Sequence, residues 1–314
     1  MRKFSVPFVL IILATVTSQG QTARSAEDYL DSAVAHARNK QTDEALKDLD
    51  KAIELDPHNA MAFLLRGNLR ERKKEIGQAL SDYNEAIRLA PDARGMEVAY
   101  NNRSVIRLSK GDLAGAREDI DNAIRLNPNA AALYNQRAII RLQEGKPDAA
   151  AADYEKALEL NPNLPSAYFG LGDYRFQRGD LDGAIEYFNK AIELYPGYFG
   201  AYVSRGIARG IKGDVEGAVA DLRKGVALNA DAISDQSRGN FTSPVKDLTQ
   251  FITSNPSNAR AYELRGLLRL MQGKATESEE DFRKSLEMDA KLRAEIDGIV
   301  KEVKASGNNV AVPR

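Results

Sequence analysis

The stretch KAIELDP, residues 51–57, decides the fold, because close variants of it return along the chain. The variants are EAIRLAP at 85–91, NAIRLNP at 122–128, KALELNP at 156–162 and KAIELYP at 190–196. Their terminal prolines lie 34, 37, 34 and 34 residues apart. A period of this length indicates an array of similar structural units, which must stack on their neighbours to bury their apolar faces.

Within each period, small and large residues recur at fixed places. With the proline numbered as position 32, and the last two units placed by their other positions, the units begin at Ala26, Ala60, Glu97, Ala131, Pro165, Phe199 and Ala259. Position 8 is small, and its residues are Ala33, Gly67, Ser104, Ala138, Gly172, Gly206 and Gly266. Position 24 is large and apolar, and its residues are Leu49, Tyr83, Ile120, Tyr154, Phe188, Leu222 and Phe282. Small side chains let two helices approach closely and a large one fills the remaining gap, so each unit is predicted to be a packed helix pair.

The ends of the helices carry their own signals. A helix commonly ends on a residue with a left-handed backbone, which glycine adopts without strain. The glycines that fit this place are Gly111, Gly145, Gly179, Gly213 and Gly273. Asp112, Asp180 and Asp214 follow where a second helix can be capped. Units 6 and 7 have Ala230 and Ala290 in place of the terminal proline, which predicts that their second helices continue.

The pattern resembles the tetratricopeptide repeat (TPR), a 34-residue helix-turn-helix unit with an aromatic residue at position 4. Here that position holds Tyr29, Phe63, Tyr100, Tyr134, Tyr168, Tyr202 and Tyr262. The resemblance implies an all-α TPR solenoid of about seven helix-turn-helix repeats that form a right-handed superhelix. It also implies a concave groove, lined by the first helix of each repeat, that binds proteins or peptides.

The repeats and the departures from them predict how the chain is divided. The segments are a signal peptide at 1–20, TPR repeats 1–6 at 26–232, an insertion at 233–258, TPR repeat 7 at 259–292, a capping helix at 293–305 and a disordered tail at 306–314. The insertion begins as a polar loop. Its latter part, with Leu248, Phe251 and Pro256, imitates a second helix without a first one, and we expect an orphan helix there.

The N-terminus reads MRKFSVPFVLIILATVTSQGQ, residues 1–21. Arg2 and Lys3 precede an apolar run from Val6 to Val16, which is the build of a secretory signal peptide. The apolar run is about half of the roughly 20 residues that a helix needs to cross a bilayer, so an uncleaved anchor is the weaker alternative. We expect cleavage before Gln21 and an exported protein, in the periplasm or otherwise secreted, with no membrane span afterwards.

Composition restricts the chemistry. The 44 Lys and Arg residues balance the 45 Asp and Glu residues, so no overall charge favours nucleic acid as a partner. The absence of cysteine excludes disulfides, thiolate metal sites and a cysteine nucleophile. The histidines, His36 and His58, are isolated, and the sequence has no metal-ligand spacing, phosphate loop or nucleophile motif. It therefore predicts no enzyme activity, no cofactor and no metal site.

Arginine recurs at position 7 of the repeat, and aspartate recurs at position 23. Repeat 5 lacks both, with Leu171 at position 7 and Tyr187 at position 23, and this joint loss indicates contact within a repeat. The predicted ion pairs are Arg66 with Asp82, Arg103 with Asp119, Arg137 with Asp153, Arg205 with Asp221, and Arg265 with Asp281. The alternative is a basic stripe that binds a phosphate backbone or an acidic peptide. Position 11 is also arginine, as in Arg107 and Arg175, but without a matching acidic pattern.

The resemblance further implies that positions 2, 5, 9, 12 and 13 of the first helices commonly face the groove. The predicted partner-binding residues are Leu64, Asn68, Asn101, Val105, Leu108, Asn135, Ile139, Leu142, Phe169, Asp173 and Phe176. Asparagine amides can bond a peptide backbone while apolar neighbours accept its side chains. The alternative is that positions 9 and 12 only pack against the adjacent repeat.

These observations predict an exported adaptor or scaffold that binds a protein or peptide in its groove without catalysis. The alternative is a structural or self-associating envelope component that uses residues 233–258 as its contact surface. Light scattering separates the two, because self-association requires no partner.

Overall fold

The computed structural model describes residues 24–214, 217–218, 220–222, 224–225, 228 and 242–305. The predicted signal peptide, the predicted tail and residues 229–241 of the loop region lie outside the described residues. The helices are α1 (Ala26–Arg38), α2 (Thr42–Leu55), α3 (Ala60–Arg72), α4 (Ile76–Leu89), α5 (Met96–Ser109), α6 (Leu113–Leu126), α7 (Ala131–Gln143), α8 (Pro147–Leu160), α9 (Pro165–Gln177), α10 (Leu181–Leu194), α11 (Phe199–Lys212), α12 (Thr242–Ser254), α13 (Ala259–Met271), α14 (Ala275–Met288) and α15 (Arg293–Ala305). The residues described between 217 and 228 are also helical, and a 3₁₀ turn spans Ala290–Leu292.

The helices pack as consecutive hairpins in two compact units, Met1–Ala93 and Arg94–Arg314. In unit 1, α1 packs on α2 and α3 on α4; in unit 2, the hairpins are α5/α6, α7/α8, α9/α10 and α13/α14. Within each unit, the second helix of one hairpin also packs on the first helix of the next, as α2 does on α3 and α8 on α9. The described ranges contain no strand, so the predicted all-α architecture of stacked helix pairs is confirmed. None of the helices in these ranges has both the length and the apolar character needed to cross a membrane.

The small and large residues of the repeat meet as the sequence predicts. A Cβ atom added to Gly67 would lie 2.7 Å from the ring of Tyr83, and one added to Gly172 would lie 2.5 Å from Phe188. Both rings are fully buried at 0% exposure. Position 8 must therefore be small in these repeats, because the position-24 ring of the second helix occupies the space.

The turns between the paired helices use the predicted glycines. The left-handed residues are Gly111, Gly145, Gly179, Gly213 and Gly273, with φ between 75° and 92°. Repeats 1 and 2 have Lys40 (φ 59°) and Lys74 (φ 63°) at this place, so a lysine adopts the same conformation there. Asp112 caps α6, because its side chain accepts the N–H of Gly115 at 2.9 Å. Asp180 in repeat 5 and Asp214 in repeat 6 make the equivalent bonds, to the N–H groups of Gly183 and Gly217.

Helix α12 lies in the second half of the predicted insertion and is part of the core of unit 2. Leu248 and Ile252 are buried at 0% and 6% exposure in one apolar cluster with residues of α9 to α11 and α13. Thr249 accepts a hydrogen bond from Arg265 of α13 at 3.2 Å. Helix α12 therefore packs on α13 as the second helix of a repeat packs on the next repeat.

The end of α14 differs from the sequence-based expectation. Asp289 has an extended backbone, with φ −144° and ψ 95°, and its side chain accepts the N–H of Lys291 at 3.0 Å. The prediction of a continuous helix through Ala290 is wrong, because Asp289 breaks the helix and caps the following turn. Ala230, the other position with this prediction, lies outside the described residues. Helix α15 is joined to α13 by an ion pair of 2.7 Å between Arg260 and Glu295.

Candidate partner-binding site

The recurrent aspartate at position 23 lies between the two helices of its repeat and is bonded by the position-7 arginine. In repeat 3, Arg103 donates from Nε and Nη2 to the two carboxylate oxygens of Asp119, at 2.9 and 2.6 Å. In repeat 7, Arg265 binds Asp281 in the same way, at 2.9 and 2.6 Å. Equivalent two-point contacts join Arg66 to Asp82, Arg137 to Asp153 and Arg205 to Asp221. The aspartates are between 0% and 4% exposed.

A second arginine binds the same carboxylate. Arg107 Nη1 lies 2.9 Å from Asp119, and Arg141 Nη1 lies 2.7 Å from Asp153. The contacts of Arg70 with Asp82, Arg209 with Asp221 and Arg269 with Asp281 measure between 2.7 and 2.8 Å. Each buried aspartate therefore accepts from two guanidinium groups, which compensates the cost of removing its charge from water.

The position-7 arginines also reach the preceding helix. Arg66 Nη1 lies 2.7 Å from Asp50 of α2, and Arg137 Nη1 lies 3.1 Å from Asp121 of α6. The hydrogen bond to Asp153 raises the pKa of the Arg137 guanidinium above its ordinary value. The same guanidinium is 5.4 Å from the centre of the Tyr134 ring, one turn earlier in α7. These contacts hold both helices of a repeat and its neighbour together, so the position-7 arginines belong to the framework of the fold.

The predicted groove residues of unit 1 are Leu64 and Asn68 on α3. Leu64 is only 3% exposed, so a partner cannot reach its side chain, and its assignment to a binding surface is wrong. Packing between helices accounts for it instead. Asn68 is half-buried and accepts a hydrogen bond from the Tyr83 hydroxyl at 2.9 Å.

In unit 2, α5 and α7 lie in contact and carry six predicted groove residues. Val105 and Leu142 are exposed, at 39% and 40%. The half-buried ones are Asn101, Leu108, Asn135 and Ile139. Asn101 donates from its amide to Asn102 at 3.3 Å, and Asn135 accepts from Ser166 of α9 at 3.1 Å. The structure thus brings amide groups and accessible apolar side chains together on these two helices.

The predicted groove residues of α9 are mostly engaged in packing. Phe176 is 5% exposed and its ring centre lies 5.7 Å from that of Phe251 of α12, so its assignment to a partner-binding surface is wrong. The Phe169 ring centre lies 5.0 Å from that of Tyr198. Burial, with a smaller effect of the nearby Asp173 charge, raises the pKa of Tyr198 to about 12. Position 12 of this repeat therefore packs within unit 2, which is the alternative that the sequence left open.

The comparison with protein-family models identifies the architecture. The model described as "Tetratricopeptide repeat" matches residues 19–94, 102–162, 135–199 and 229–292, which is more than half of the chain. This chain belongs to the TPR family.

Individual relatives match this TPR chain to different extents. The RNA polymerase II-associated protein 3 of Xenopus tropicalis is 34% identical over 92 residues, which are 29% of this chain. The chain spans only 14% of the length of that relative. The structure of PilF from Pseudomonas aeruginosa has a TM-score of 0.57 at 19% identity, over 70% of this chain and 97% of the other. A TPR protein of Parabacteroides merdae has a TM-score of 0.54 at 20% identity, over 90% of this chain and 100% of the other.

The TPR assignment supports a general function as a protein-interaction scaffold. The two solved structures show the fold alone at this identity. The binding residues of this chain must therefore be argued from its own side chains.

Sequence reasoning did not find the partner of the position-11 arginines. In repeat 5 the position-11 arginine, Arg175, is retained although Tyr187 replaces the aspartate, so the two positions do not vary together in the sequence. In the structure Arg175 instead lies 3.2 Å from Asp180, the cap of α10. The usable signal was the recurrence of arginine at position 11 itself, one helical turn after position 7 and on the same side of the helix.

Proposed function

We propose that this protein is an exported TPR adaptor that captures an extended or helical segment of another protein on α5 and α7. The observation that carries the proposal is the combination of exposed Val105 and Leu142 with the neighbouring Asn101 and Asn135. Exposed apolar side chains next to polar groups are typical of surfaces that bind proteins.

The hydrogen-bonding groups of these asparagines support capture of a peptide backbone. Within the described residues, Asn135 uses its oxygen for Ser166, and Asn101 uses its nitrogen for Asn102. An N–H donor of Asn135 and the oxygen acceptor of Asn101 can then serve a partner's backbone. Because the helices that carry them are already packed, the ordering cost of binding falls mainly on the captured segment.

Site-specific crosslinking tests this surface directly. A photoreactive amino acid in place of Leu142 should crosslink to a partner in the protein's native compartment. The same group in place of Met288, which is 44% exposed on α14, serves as the matched control. Equal crosslinking from both positions, or from neither, would contradict the proposal.

Side-chain removal tests the two amides. The double variant Asn101→Ala with Asn135→Ala should retain less partner in affinity capture from an envelope fraction, while its thermal melting stays close to that of the wild type. Asn122→Ala on α6 is the control, because among the described residues its amide bonds only residues of its own helix, the Glu118 carbonyl and Arg125. Unchanged capture by the double variant would remove these asparagines from the site.

Export follows from the N-terminal pattern and has a separate test. N-terminal sequencing of the protein from an envelope or extracellular fraction should give a start at or near Gln21. Recovery of the protein only from the cytoplasm, with Arg2 and Lys3 retained, would contradict export.

Self-association through the insertion has less support, because α12 places Val245, Leu248, Phe251 and Ile252 against the apolar cluster of unit 2.

A further inference from the structure

Unit 1 contains a pocket of about 330 Å³ between α1, α2 and α3. Its lining residues are Ala33, Val34, Ala37, Arg38, Leu49, Leu65, Asn68, Leu69 and Arg72. The floor is apolar, with Leu49 and Leu69 almost fully buried at 1% and 6% exposure. A volume near the lower limit of ligand pockets fits one or two side chains better than a large cofactor.

The two arginines at this pocket, Arg38 of α1 and Arg72 of α3, differ from the other arginines of α3. Arg66 and Arg70 are neutralised by Asp82 and, for Arg66, by Asp50 as well. Arg38 and Arg72 are exposed, and the described residues provide neither a hydrogen bond nor an ion pair to them. The pocket lining contains no carboxylate. The side chains that line this pocket therefore carry two positive charges and no negative one.

Two other surface pockets, both in the described part of unit 2, do not share this charge pattern. The pocket on α6 has Arg117 and Arg125, but also Glu118 and Asp121. The pocket between α14 and α15 likewise mixes arginines with Glu279, Glu287 and Asp297. Mixed charges of this kind are expected of an ordinary solvated helix surface.

Both arginines occupy position 13 of their repeats, in the last turn of the first helix. A basic residue near the C-terminal end of a helix interacts favourably with the helix dipole, and this would explain the two arginines in purely structural terms. However, repeats 4 and 5 have the neutral residues Gln143 and Gln177 at the same position, and their helices end in the same way. The charge is thus confined to the two repeats that form the pocket.

We infer that this pocket binds an acidic-apolar segment of a partner protein, with one apolar side chain on the leucine floor and flanking carboxylates on Arg38 and Arg72. Guanidinium groups suit this role, because they bind carboxylates through two parallel hydrogen bonds. The half-buried Asn68 adds a polar group at the edge of the floor, and the Tyr83 hydroxyl orients it. The inference rests on the proposed function of capturing protein segments, and it adds a second location and the chemistry of the segment.

Fluorescence anisotropy with short labelled peptides tests the inference on the protein produced from the full coding sequence. One probe has a single leucine flanked on both sides by glutamates, and the other has glutamines in their place. The acidic peptide should bind about tenfold more tightly, and the difference should shrink at high salt. The double variant Arg38→Gln with Arg72→Gln should abolish the preference without changing the melting temperature.

The control is Arg88→Gln, which removes an exposed arginine of unit 1 that, within the described part of the chain, pairs only with Glu85 on its own helix. It should leave the preference for the acidic peptide intact. Equal binding of the two peptides, no measurable binding, or an unchanged preference in the Arg38→Gln, Arg72→Gln variant would each overturn the inference. If the acidic peptide instead depends on Asn101 and Asn135, the inference fails while the proposed function stands. If crosslinking at Leu142 fails but the Arg38→Gln, Arg72→Gln variant loses acidic-peptide binding, the α5/α7 surface fails as a binding site while the inference about this pocket stands.

Discussion

Single buried residues decide how tightly each repeat holds together, and Asp119 is the clearest of them. Its side chain has no exposed surface, yet it carries a negative charge that Arg103 and Arg107 compensate. Removing one member of such a network leaves the other charges without compensation, whereas replacing a whole pair by apolar groups does not. Repeat 5 already shows the apolar solution, because Leu171 is buried there and Tyr187 packs on the apolar cluster around Tyr154.

The change Asp119→Ala should therefore lower the free energy of unfolding by about 3–5 kcal/mol. The double change Arg103→Leu with Asp119→Tyr should cost less, because Arg107 can still bond the Gly115 carbonyl, at 3.1 Å in the structure. Urea unfolding of the two variants provides the comparison. A single variant as stable as the wild type would show that this network contributes little.

Gly172 marks a close approach between the two helices of repeat 5. The change Gly172→Ala should lower the free energy of unfolding by about 1–3 kcal/mol, because its methyl group would overlap the fully buried Phe188 ring. Gly298→Ala in α15 is the matched control, since an added Cβ there meets nothing within 4 Å. That variant should be neutral or gain up to about 1 kcal/mol. A reversed order of the two melting temperatures would contradict the packing seen here.

At the scale of the elements, the turn between paired helices is the most regular part of the chain. It requires a residue with positive φ, and repeats 1 and 2 place Lys40 and Lys74 there in the left-handed region. A side chain in that region strains the backbone, by about 1–2 kcal/mol for L-residues. The remaining turns of this type use glycine and avoid the strain.

The change Lys74→Gly should raise the free energy of unfolding of unit 1 by up to about 1 kcal/mol, because the relief of strain exceeds the added freedom of the unfolded chain. The reverse change, Gly111→Lys, should lower the stability of unit 2 by a similar amount. Thermal melting of both variants checks the pair. If Lys74→Gly melts at a lower temperature than the wild type, the turn is not strained.

At the scale of the whole molecule, each unit has its own buried apolar residues, and unit 2 also contains a buried glutamate. Glu263 of α13 is 3% exposed and lies 2.8 Å from Arg260, which also binds Glu295 of α15. Burial raises the pKa of Glu263 from its ordinary 4.5 to about 7; Arg260 opposes the rise, and the charges of Glu295 and Asp289 add to it. The folded protein therefore holds a proton on Glu263 that the unfolded chain releases at lower pH.

The sign of the pH dependence follows from this difference. The contribution of Glu263 to stability is intact below about pH 4.5 and is lost as the pH rises to about 7, with a total fall of up to about 3 kcal/mol. The change Glu263→Gln should remove this slope from the urea-unfolding free energy of the protein. Glu279→Gln, at an exposed site on α14, should leave it in place. The same slope in wild type and Glu263→Gln would assign it to another group.

Much of the fold could be predicted from particular residues of the sequence. The prolines from Pro57 to Pro196 revealed the period, the glycine at position 8 indicated close helix contact, and the joint loss at Leu171 and Tyr187 indicated the ion pairs. The candidate site was less predictable. Phe176 occupies the same repeat position as the exposed Leu142, and Leu64 the same position as the half-buried Asn101, yet Phe176 and Leu64 are both buried. Repeat position describes the local face of a helix, but it does not describe what packs on that face.

The amino-acid sequence by itself determined the helices, most of their ends and the pairing of the two helices in a repeat, because these depend on residues close together in the chain. Only the tertiary structure decided which side chains a partner can reach. Phe251 of α12 covers Phe176 of α9, although a long segment of chain separates them. Arg38 and Arg72 lie at the rim of a shared pocket because α1 and α3 stack on α2, and burial of this kind depends on contacts that a local pattern does not contain.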